Sequence, residues 1–376
     1  MNNIYHNGLD KTILTGFQVK SIDFEKLLSQ RDSVTIIYQS NQNVYCNVPD
    51  EVTGENKSFS NISIQDNCVF SDLKIGVSIV NGQLIFYESL SLYNTSNGEN
   101  NLIPMSLEFY IRKLNETVAY IYTRYGIKLD ISHIRFKELE YNATIKINGK
   151  FEDYERLLML FCKTRRGTLK YGDKPDVEKD FTGYYVHNKS IQYKFYDKTK
   201  QLNEKFNIEI TAQWLRIELS ILNGSQNSKA TLEKYLGTSE VFQIDSNSLK
   251  QMFLTMFNRD FIKPFQKYLH QSEKITLEVL KDAKKEHKKN YLFYAISDLK
   301  TKEIDEFVPP CFSYGVFTDA FNKLEKGNSN RAKALKASEE HIPKKWIGED
   351  ARLNVILDVL DRMVDSIATA TVAIAN

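Results

Sequence analysis

The sequence predicts an α+β fold, with a central antiparallel β-sheet, helices packed on one face of it, and a mainly helical C-terminal region. Two observations support this prediction. Short β-prone runs separated by turn residues dominate the first 225 residues, and the hydrophobic periodicity beyond them is mainly helical. We therefore expect a first domain over residues 1–225, with strand-rich residues 1–125 and further strands within 130–225, and a helical region over 226–376.

The first hundred residues contain four β-prone runs and one short helical run, in the order 12–19, a helix over 22–28, then 34–39, 72–80 and 83–93. The last two runs flank Asn81 and Gly82, a dipeptide that readily adopts the positive φ angles of a type I′ turn. We therefore expect a β-hairpin there.

Residues 104–125 have helical periodicity. Apolar residues recur at spacings of three and four, at Leu107, Tyr110, Ile111, Leu114, Val118 and Ile121. The pattern ends at Gly126, a residue type that often follows the last turn of a helix. This helix is expected to pack its apolar stripe in the core.

Three later strands, over residues 136–146, 191–198 and 214–221, alternate between apolar and polar positions. The positions on the polar side are Glu138, Glu140, Asn142, Thr144, Gln192, Lys194, Tyr196, Lys198, Trp214, Arg216, Glu218 and Ser220. If the strands pair in one sheet with their apolar sides on a shared core, these side chains converge on the other face. The sequence therefore predicts a surface that combines carboxylates, a tyrosine and cations.

Helical patterns surround and follow these strands. A helix over residues 153–163 is expected to end before Gly167 and to pack beneath the sheet, and later helices cover 249–269, interrupted by Pro264, and 272–289. The last amphipathic helix carries an apolar stripe at Leu353, Ile356, Leu357, Leu360, Val364 and Ile367. That stripe could form a homodimer surface or pack on its own domain.

Composition excludes several classes of protein. The chain has 376 residues, of which 42% are hydrophobic and 26% charged, so it can bury a real core and is neither disordered nor fibrous. Its four cysteines are far apart and match no zinc or disulfide spacing, which favours a cytoplasmic protein. No apolar run approaches the roughly 18 residues of a membrane span, so no membrane partner is expected.

A formal net charge of +2 hides an asymmetry. Residues 1–110 carry 6 basic and 12 acidic groups, which leaves +8 for residues 111–376. Basic residues cluster at Lys163, Arg165, Arg166 and Lys170, and again at Lys281, Lys284, Lys285, Lys288 and Lys289. Such clusters can bind DNA phosphates, or they can be solvated helix faces.

The polar face suggests phosphoryl-transfer chemistry. A phenol has a reference pKa of about 10, and a nearby cation such as Lys198 or a metal ion would favour the phenolate of Tyr196. Glu140 and Glu218 could hold Mg²⁺ or Mn²⁺ through oxygen, with Asn142 as a neutral ligand. The ion would polarise a phosphodiester, and the products would be a covalent phosphotyrosine and a free hydroxyl. Exposed strands also carry such residues merely for solubility.

Residues 184–202 (YYVHNKSIQYKFYDKTKQL) and 214–219 (WLRIEL) resemble the pattern around the nicking tyrosine of rolling-circle replication initiators. These are plasmid Rep proteins of the Rep_trans type and the related filamentous-phage replication endonucleases. There, a strand ending in Tyr-Asp/Asn-Lys precedes a strand with Arg-x-Glu, as here. Residues 139–145 (LEYNATI) resemble the strand with the first metal carboxylate, and residues 86–100 a Ser-Leu plus Gly-x-Asn pattern of phage and plasmid replication proteins.

The resemblance, over about residues 70–300, implies a nicking and strand-transfer domain with assigned roles. Tyr196 would be the nucleophile, Glu140 and Glu218 the metal ligands, and Lys198 the cation near the scissile phosphate. Arg216 would bind phosphate or orient Glu218.

Two departures from the family pattern matter. The wider superfamily binds its metal with a His-hydrophobic-His pair, but no two of the six histidines here lie two residues apart. Members of the Rep_trans type replace that pair with acidic groups. His187 lies where plasmid members more often have glycine, and it could assist the metal, contact DNA or be a surface residue. Glu138 is a rival ligand to Glu140.

The sequence therefore suggests an initiator that nicks a plasmid or phage double-strand origin, starts rolling-circle replication and reseals the product. Its expected partners are origin duplex, single-stranded DNA and a host helicase, with Lys163, Arg165, Arg166, Lys170, Lys194 and His187 as candidate DNA contacts. The alternative is a catalytically inactive DNA-binding or copy-control protein on the same scaffold, and a third possibility is an unrelated globular protein.

Overall fold

The computed structural model describes residues 4–30, 34–37, 46–59, 61–70, 73–78, 83–87, 102, 104–171, 183–206, 209–222, 226–302 and 308–375. The chain forms two compact units. We call the described residues of 4–146 and 174–253 the sheet unit, and those of 147–173 and 254–366 the helical unit. The functional division predicted at residue 225 stays a prediction.

The strands are β1 (Tyr5–Thr15), β2 (Gln18–Ile22), β3 (Val34–Ile37), β4 (Cys46–Pro49), β5 (Asn56–Phe59), β6 (Asn61–Phe70), β7 (Leu73–Ser78), β8 (Gln83–Tyr87), β9 (Ile127–Asp130), β10 (Arg135–Lys146), β11 (Lys170–Tyr171), β12 (Gly183–His187), β13 (Ile191–Asp197) and β14 (Trp214–Ile221).

The helices are α1 (Phe24–Ser29), α2 (Leu107–Tyr125), α3 (Glu155–Thr164), α4 (Lys198–Phe206), α5 (Gln226–Leu236), α6 (Ser246–Phe257), α7 (Lys263–His287), α8 (Tyr291–Thr301), α9 (Tyr314–Leu324), α10 (Arg331–Ser338) and α11 (Glu349–Ala375). A π-helix, Asn258–Ile262, connects α6 to α7, and short 3₁₀ turns occur elsewhere. No helix in the described part of the chain combines the length and apolar character that a membrane crossing requires.

The sheet unit is built on an antiparallel sheet in the order β12-β13-β14-β10-β1-β8-β7-β6-β3. This sheet, with its helices and the mainly helical C-terminal region, confirms the predicted α+β class. The three alternating strands are neighbours in it, as predicted, and β7 and β8 form the predicted antiparallel pair. Asn81 and Gly82 lie outside the described residues, as does most of 86–100.

One predicted strand is two. Residues 12–19 divide between the end of β1 and the start of β2, with Gly16 between them at φ +93°. A Cβ at that position would lie 2.7 Å from the His133 carbonyl oxygen, so the chain turns where only glycine fits. The β-branched residues on both sides conceal this turn from propensity arguments.

Helices α2 and α6 of the sheet unit pack on the apolar side of the sheet. The predicted helix α2 begins at Ser106, whose hydroxyl accepts from the Phe109 amide, and it ends at Gly126 as expected. The Tyr110 hydroxyl bonds Thr12 Oγ1 of β1 at 2.7 Å. On the same side, the rings of Tyr141 on β10 and Phe253 on α6 lie 5.6 Å apart. The core therefore leaves the other face of β10, β13 and β14 for polar side chains.

The helical unit has its own core, which includes Leu280, Ala295, Phe317, Phe321 and Trp346, all at most 1% exposed. The helix predicted over 153–163 is α3, which packs on α7 with the rings of Phe161 and Phe265 4.8 Å apart. Its predicted position beneath the sheet stays a prediction.

The predicted helix start at Ser272 is wrong, because α7 begins at Lys263 and continues past Ser272. The buried Ser272 hydroxyl donates to the Pro310 carbonyl at 2.7 Å and accepts from the Phe312 amide. Its polar group thus serves a tertiary contact and not a helix cap. Pro264 lies in the first turn of α7, where a missing N–H costs nothing.

Candidate active site

The register of the central strands arranges the polar side chains in rows across the sheet. In one row Asn142, Glu218 and Lys194 are successive cross-strand partners, and Tyr185 of β12 follows. The next row contains Thr144, Arg216, Tyr196 and Gly183, and the row on the other side contains Glu140, Ser220 and Gln192. The predicted convergence of carboxylates, tyrosine and cations is therefore a consequence of the pairing.

Three carboxylates meet on this face. Asp10, Glu140 and Glu218 each place one oxygen within 4.8 Å of the other two. Asp10 and Glu218 are buried, and the Glu140 side chain is 13% exposed. Glu140 also accepts from the Ser220 hydroxyl at 2.7 Å. This is a crowded acidic centre, since three like charges at this distance repel one another unless cations or protons neutralise them.

Asp10 was missed by the sequence argument. The register of β1 against β10 shifts between Leu9 and Thr12, so Asp10 and Lys11 lie together opposite Glu140. Such a β-bulge redirects a side chain locally. An alternation pattern does not show a bulge, and the predicted strand began only at residue 12, beyond Asp10. The sequence signal that could have revealed it is a single acid two residues after Gly8, just before the predicted strand.

Arg216 holds Asp10. Its guanidinium is completely buried, and Nη1 donates to Asp10 Oδ2 at 3.0 Å. Nε donates to Thr144 Oγ1 at 2.8 Å, and Nη2 to the Leu102 carbonyl at 2.9 Å. Arg216 therefore positions a carboxylate, but that carboxylate is Asp10 and not the predicted Glu218. The guanidinium has no exposed surface that could bind a phosphate.

Lys194 lies between the other two carboxylates. Its ammonium is 3.0 Å from Glu140 Oε1 and also hydrogen-bonds Glu218 Oε1. The side chain is 22% exposed, more than either carboxylate that it contacts. The alternation of the sequence places Lys194 on the polar face but does not show its partners there. The DNA contact predicted for Lys194 stays a prediction. In the structure Lys194 is the counter-ion of the acidic centre.

Tyr196 occupies the edge of this centre. Its hydroxyl donates to Glu218 Oε2 at 3.2 Å, and the residue is 4% exposed. Burial, and then the charge of Glu218, raise the pKa of the Tyr196 hydroxyl well above its ordinary value, with only partial opposition from Arg216. The predicted stabilisation of a phenolate is therefore not present without an added cation.

The pKa values of the two glutamates are shifted in opposite directions. Burial alone would raise the pKa of Glu140, but the charge of Lys194 and hydrogen bonds, including one from Ser220, lower it to about 2. Burial and the charge of Glu140 raise the pKa of Glu218 to about 8, against the charge of Lys194. One ammonium cannot neutralise both carboxylates, so Glu218 is the harder of the two to ionise.

Lys198 does not lie in the strand as predicted. Asp197 Oδ1 accepts from the Lys200 amide at 2.9 Å and so begins α4 directly after Tyr196. Lys198, in the first turn of α4, is completely buried and donates to Gln201 Oε1 at 2.8 Å. Its ammonium is 6.0 Å from the centre of the Tyr196 ring. It therefore lies beside the Tyr196 ring.

The remaining predicted metal ligands are placed differently. Asn142 is completely buried next to Glu218, and its Oδ1 accepts from the Thr144 hydroxyl at 3.2 Å. Glu138 pairs with Ile13 in the register of β1 and β10, and it is not one of the three carboxylates that meet. Their roles as ligands stay predictions.

The candidate DNA contacts belong to both units. His187 lies on β12, and its ring is 4.7 Å from that of Tyr185. Arg165 donates to the carbonyls of Cys162 and Leu169 at the end of α3, so its guanidinium serves the helical unit. The Arg166 side chain is 47% exposed, and Lys163 is half-buried. Lys170 and the five lysines over 281–289 are exposed.

The acidic centre fits a hard divalent cation. Such an ion binds oxygens at about 2.1 Å, which places them about 3–4.2 Å from one another, close to the separations found here. Asp10 Oδ1 is buried and has no hydrogen-bond partner among the residues that the structure describes. An orphaned buried carboxylate oxygen is costly, and a bound cation would satisfy it. Asp10, Glu140 and Glu218 are therefore the residues that could hold the metal.

Comparisons with known proteins give distant likenesses among solved structures. No protein-family model matches the chain, and no curated protein matches it. Among solved structures, a rolling circle replication initiator protein from Geobacillus stearothermophilus is similar over 68% of this chain and 86% of that chain. The TM-score is 0.33 and the sequence identity is 11%. A likeness this distant assigns neither a fold nor a function.

Proposed function

We propose that this chain is a replication initiator that makes a site-specific, metal-dependent nick in one DNA strand through Tyr196. One observation carries the proposal: the Tyr196 hydroxyl is hydrogen-bonded to Glu218, one of three carboxylates close enough to share a cation. The resemblance of residues 184–202 and 214–219 to rolling-circle initiators supports the same assignment.

The cation would be Mg²⁺ or Mn²⁺, held by Asp10, Glu140 and Glu218. When bound, it would neutralise charge that grows on the phosphate oxygens during transfer. Arg216 contributes indirectly. Its hydrogen bonds to Thr144 and to the Leu102 carbonyl hold the guanidinium in place, and its hydrogen bond to Asp10 then positions that carboxylate. Positioning of this kind supplies much of the rate in phosphoryl transfer.

In the proposed step, Tyr196 Oη attacks the scissile phosphorus. The Oη–P bond forms, the bond from phosphorus to the 3′ oxygen breaks, and that oxygen leaves with the electron pair and takes a proton from water. With a cation bound and Glu218 therefore ionised, the phenolic proton would move to Glu218 Oε2, the oxygen to which the hydroxyl already donates. The tyrosyl ester conserves the energy of the phosphodiester, so reversal of the same step reseals the strand without ATP.

Recognition and strand opening would involve other groups. Exposed basic residues, such as Lys170 and the lysines over 281–289, would contact DNA phosphates, which position a duplex without reading its sequence. The sequence contains no Gly-x₄-Gly-Lys-Ser/Thr motif. Strand opening would therefore depend on supercoiling or on a separate host helicase.

The test is covalent adduct formation on a supercoiled plasmid that carries the DNA flanking the coding sequence. With Mn²⁺, the wild-type chain is expected to give nicked circles with protein attached, and Tyr196→Phe none. Tyr193→Phe is the matched control. Tyr193 lies on the same strand with its completely buried side chain on the opposite face, so this variant should still form the adduct.

Adduct that persists in Tyr196→Phe would contradict the role of this tyrosine. Sequence-specific binding of the flanking DNA without any nick, in Mg²⁺ or Mn²⁺, would favour the inactive copy-control protein. The proposal of catalysis would then be withdrawn.

A further inference from the structure

The cation beside the reacting groups is Lys194, and its contacts indicate a second task. Its ammonium contacts Glu140 at 3.0 Å and also Glu218, two of the three carboxylates in the acidic centre. A divalent ion shared by Glu140 and Glu218 would also lie between these two carboxylates, where the ammonium lies now. Lys194 and the metal therefore compete.

Arg216 and Lys198, which also lie near the centre, are held by other partners. Arg216 is completely buried and binds Asp10, Thr144 and the Leu102 carbonyl. Lys198 is completely buried beside the Tyr196 ring and donates to Gln201. Lys194 is partly exposed, and its ammonium is at the end of a flexible four-carbon chain. It can leave the carboxylates without unfolding the sheet.

We propose that Lys194 is a tethered counter-ion that holds Glu140 and Glu218 together until a divalent metal displaces it, and that the released ammonium then contacts the DNA phosphate. This inference rests on the proposed function. It assigns to Lys194 the phosphate contact that the family resemblance would give to Lys198. It also makes Lys194 a positioning residue for the metal site, because it keeps two repelling carboxylates at binding distance before the metal arrives.

The position of Lys194 in the sheet supports the second half of the inference. Lys194 is in register with Tyr185 of β12, and both residues are only partly buried. The fully buried part of the site lies on the other side, at Asp10 and Arg216. A phosphate that approaches from solvent meets Lys194 before it reaches the Tyr196 hydroxyl. An ammonium is a compact charge that suits such a contact.

The test is a titration of the full chain with Mn²⁺, in which electron paramagnetic resonance measures the free ion. Lys194→Met and Lys194→Gln remove the competing charge and are expected to bind Mn²⁺ at least about 10-fold more tightly than wild type. Lys194→Arg keeps a competing charge and should stay close to wild type. Lys200→Met, a change of a side chain in α4 that is 41% exposed, is the control and should not alter affinity.

Nicking at saturating Mn²⁺ provides the second readout. Lys194→Met is expected to nick at least about 10-fold more slowly despite its tighter metal binding, because the phosphate contact is lost. A merely structural lysine would weaken both properties together. The expected result is therefore a change of opposite sign in metal affinity and in rate.

Three results would overturn the inference in different ways. Equal or weaker Mn²⁺ binding by both neutral Lys194 variants, with binding still lost in Glu218→Gln, would exclude displacement but leave the metal site intact. Absence of Mn²⁺ binding in the wild type and in every Lys194 variant would remove the metal site itself, and the proposed function with it. Wild-type nicking by Lys194→Met at saturating metal would exclude the phosphate contact.

Discussion

The same three residue types, a glutamate, a lysine and a tyrosine, meet in both units of the molecule. In the sheet unit Glu218 contacts Lys194 and Tyr196. In the helical unit Glu325 accepts from Lys284 at 2.5 Å and from the Tyr291 hydroxyl at 2.8 Å. We call the second group the Glu325 cluster. The contacts are alike, so residue type alone does not separate a functional group from a structural one.

The two groups differ in the number of carboxylates relative to the number of hydrogen-bond donors that contact them. Glu325 is a single carboxylate with three donors, because Asn328 also donates to it at 2.7 Å. In the sheet unit Asp10, Glu140 and Glu218 crowd together, and the pKa of Glu218 rises to about 8. Burial alone would raise the pKa of Glu325, but its donors lower it below its ordinary value. An excess of acceptors over donors therefore indicates a cation site.

The largest expected effect comes from neutralising one glutamate in each group. Glu218→Gln should reduce nicking and Mn²⁺ affinity by more than about 100-fold, since it removes a metal ligand and the proton acceptor of Tyr196. Glu325→Gln should leave both unchanged. The measurements are adduct yield and Mn²⁺ titration. Equal losses in the two variants would show that the comparison does not identify the functional group.

A smaller effect is expected from adding one methyl group beside Tyr196. A Cβ at Gly183 would lie 2.1 Å from the Phe195 carbonyl oxygen and 2.7 Å from Tyr196 Cβ. Gly183→Ala should push β12 from β13, lower stability by about 1–3 kcal/mol and displace the nucleophile. Displacement by about 1 Å can cost up to about 100-fold in rate.

The matched control for that variant is Gly167→Ala in the helical unit, because nothing lies within 4 Å of a Cβ there. Urea unfolding and adduct yield should both match wild type. If Gly183→Ala also matched wild type, the close approach of β12 would not position Tyr196.

The smallest effect concerns the pH dependence of stability. The lowered pKa of Glu325 means that this group stabilises the fold above pH 4.5, its ordinary value, and that the contribution disappears as pH falls through the lower folded value. Glu325→Gln should cost about 1.5 kcal/mol at pH 7 and less below pH 4.5. Urea unfolding at several pH values measures this. A cost independent of pH would contradict the ionised state of Glu325.

The sequence predicted the parts of the site that regular geometry determines. The alternation in residues 136–146, 191–198 and 214–221 correctly placed Glu140, Glu218 and Tyr196 on one face, because a paired strand has a fixed period of two. The class of fold followed from the same patterns. The end of α2 at Gly126 followed from local chemistry.

The sequence could not predict what depends on the pairing of distant segments. Asp10 reaches the site through a bulge that only the register of β1 against β10 reveals. Lys194 contacts the carboxylates because of its neighbours in the sheet, whereas Lys198 contacts Gln201 because α4 begins there. The sequence does not show these neighbours. The helical periodicity of α3 predicted a buried stripe but not its packing partner α7.

The bulge at Asp10 and Lys11 also affects how related chains can differ in length. Two residues there lie opposite one, and the pairs on either side, Leu9 with Tyr141 and Thr12 with Leu139, are those of an unbroken ladder. An evolutionary deletion of Lys11 would preserve both flanking pairs and keep Asp10 at the site. Deletion of a residue elsewhere in the strand would move the following side chains to the opposite face of the sheet. Sequence alignments of distant homologues should therefore allow a gap at this point.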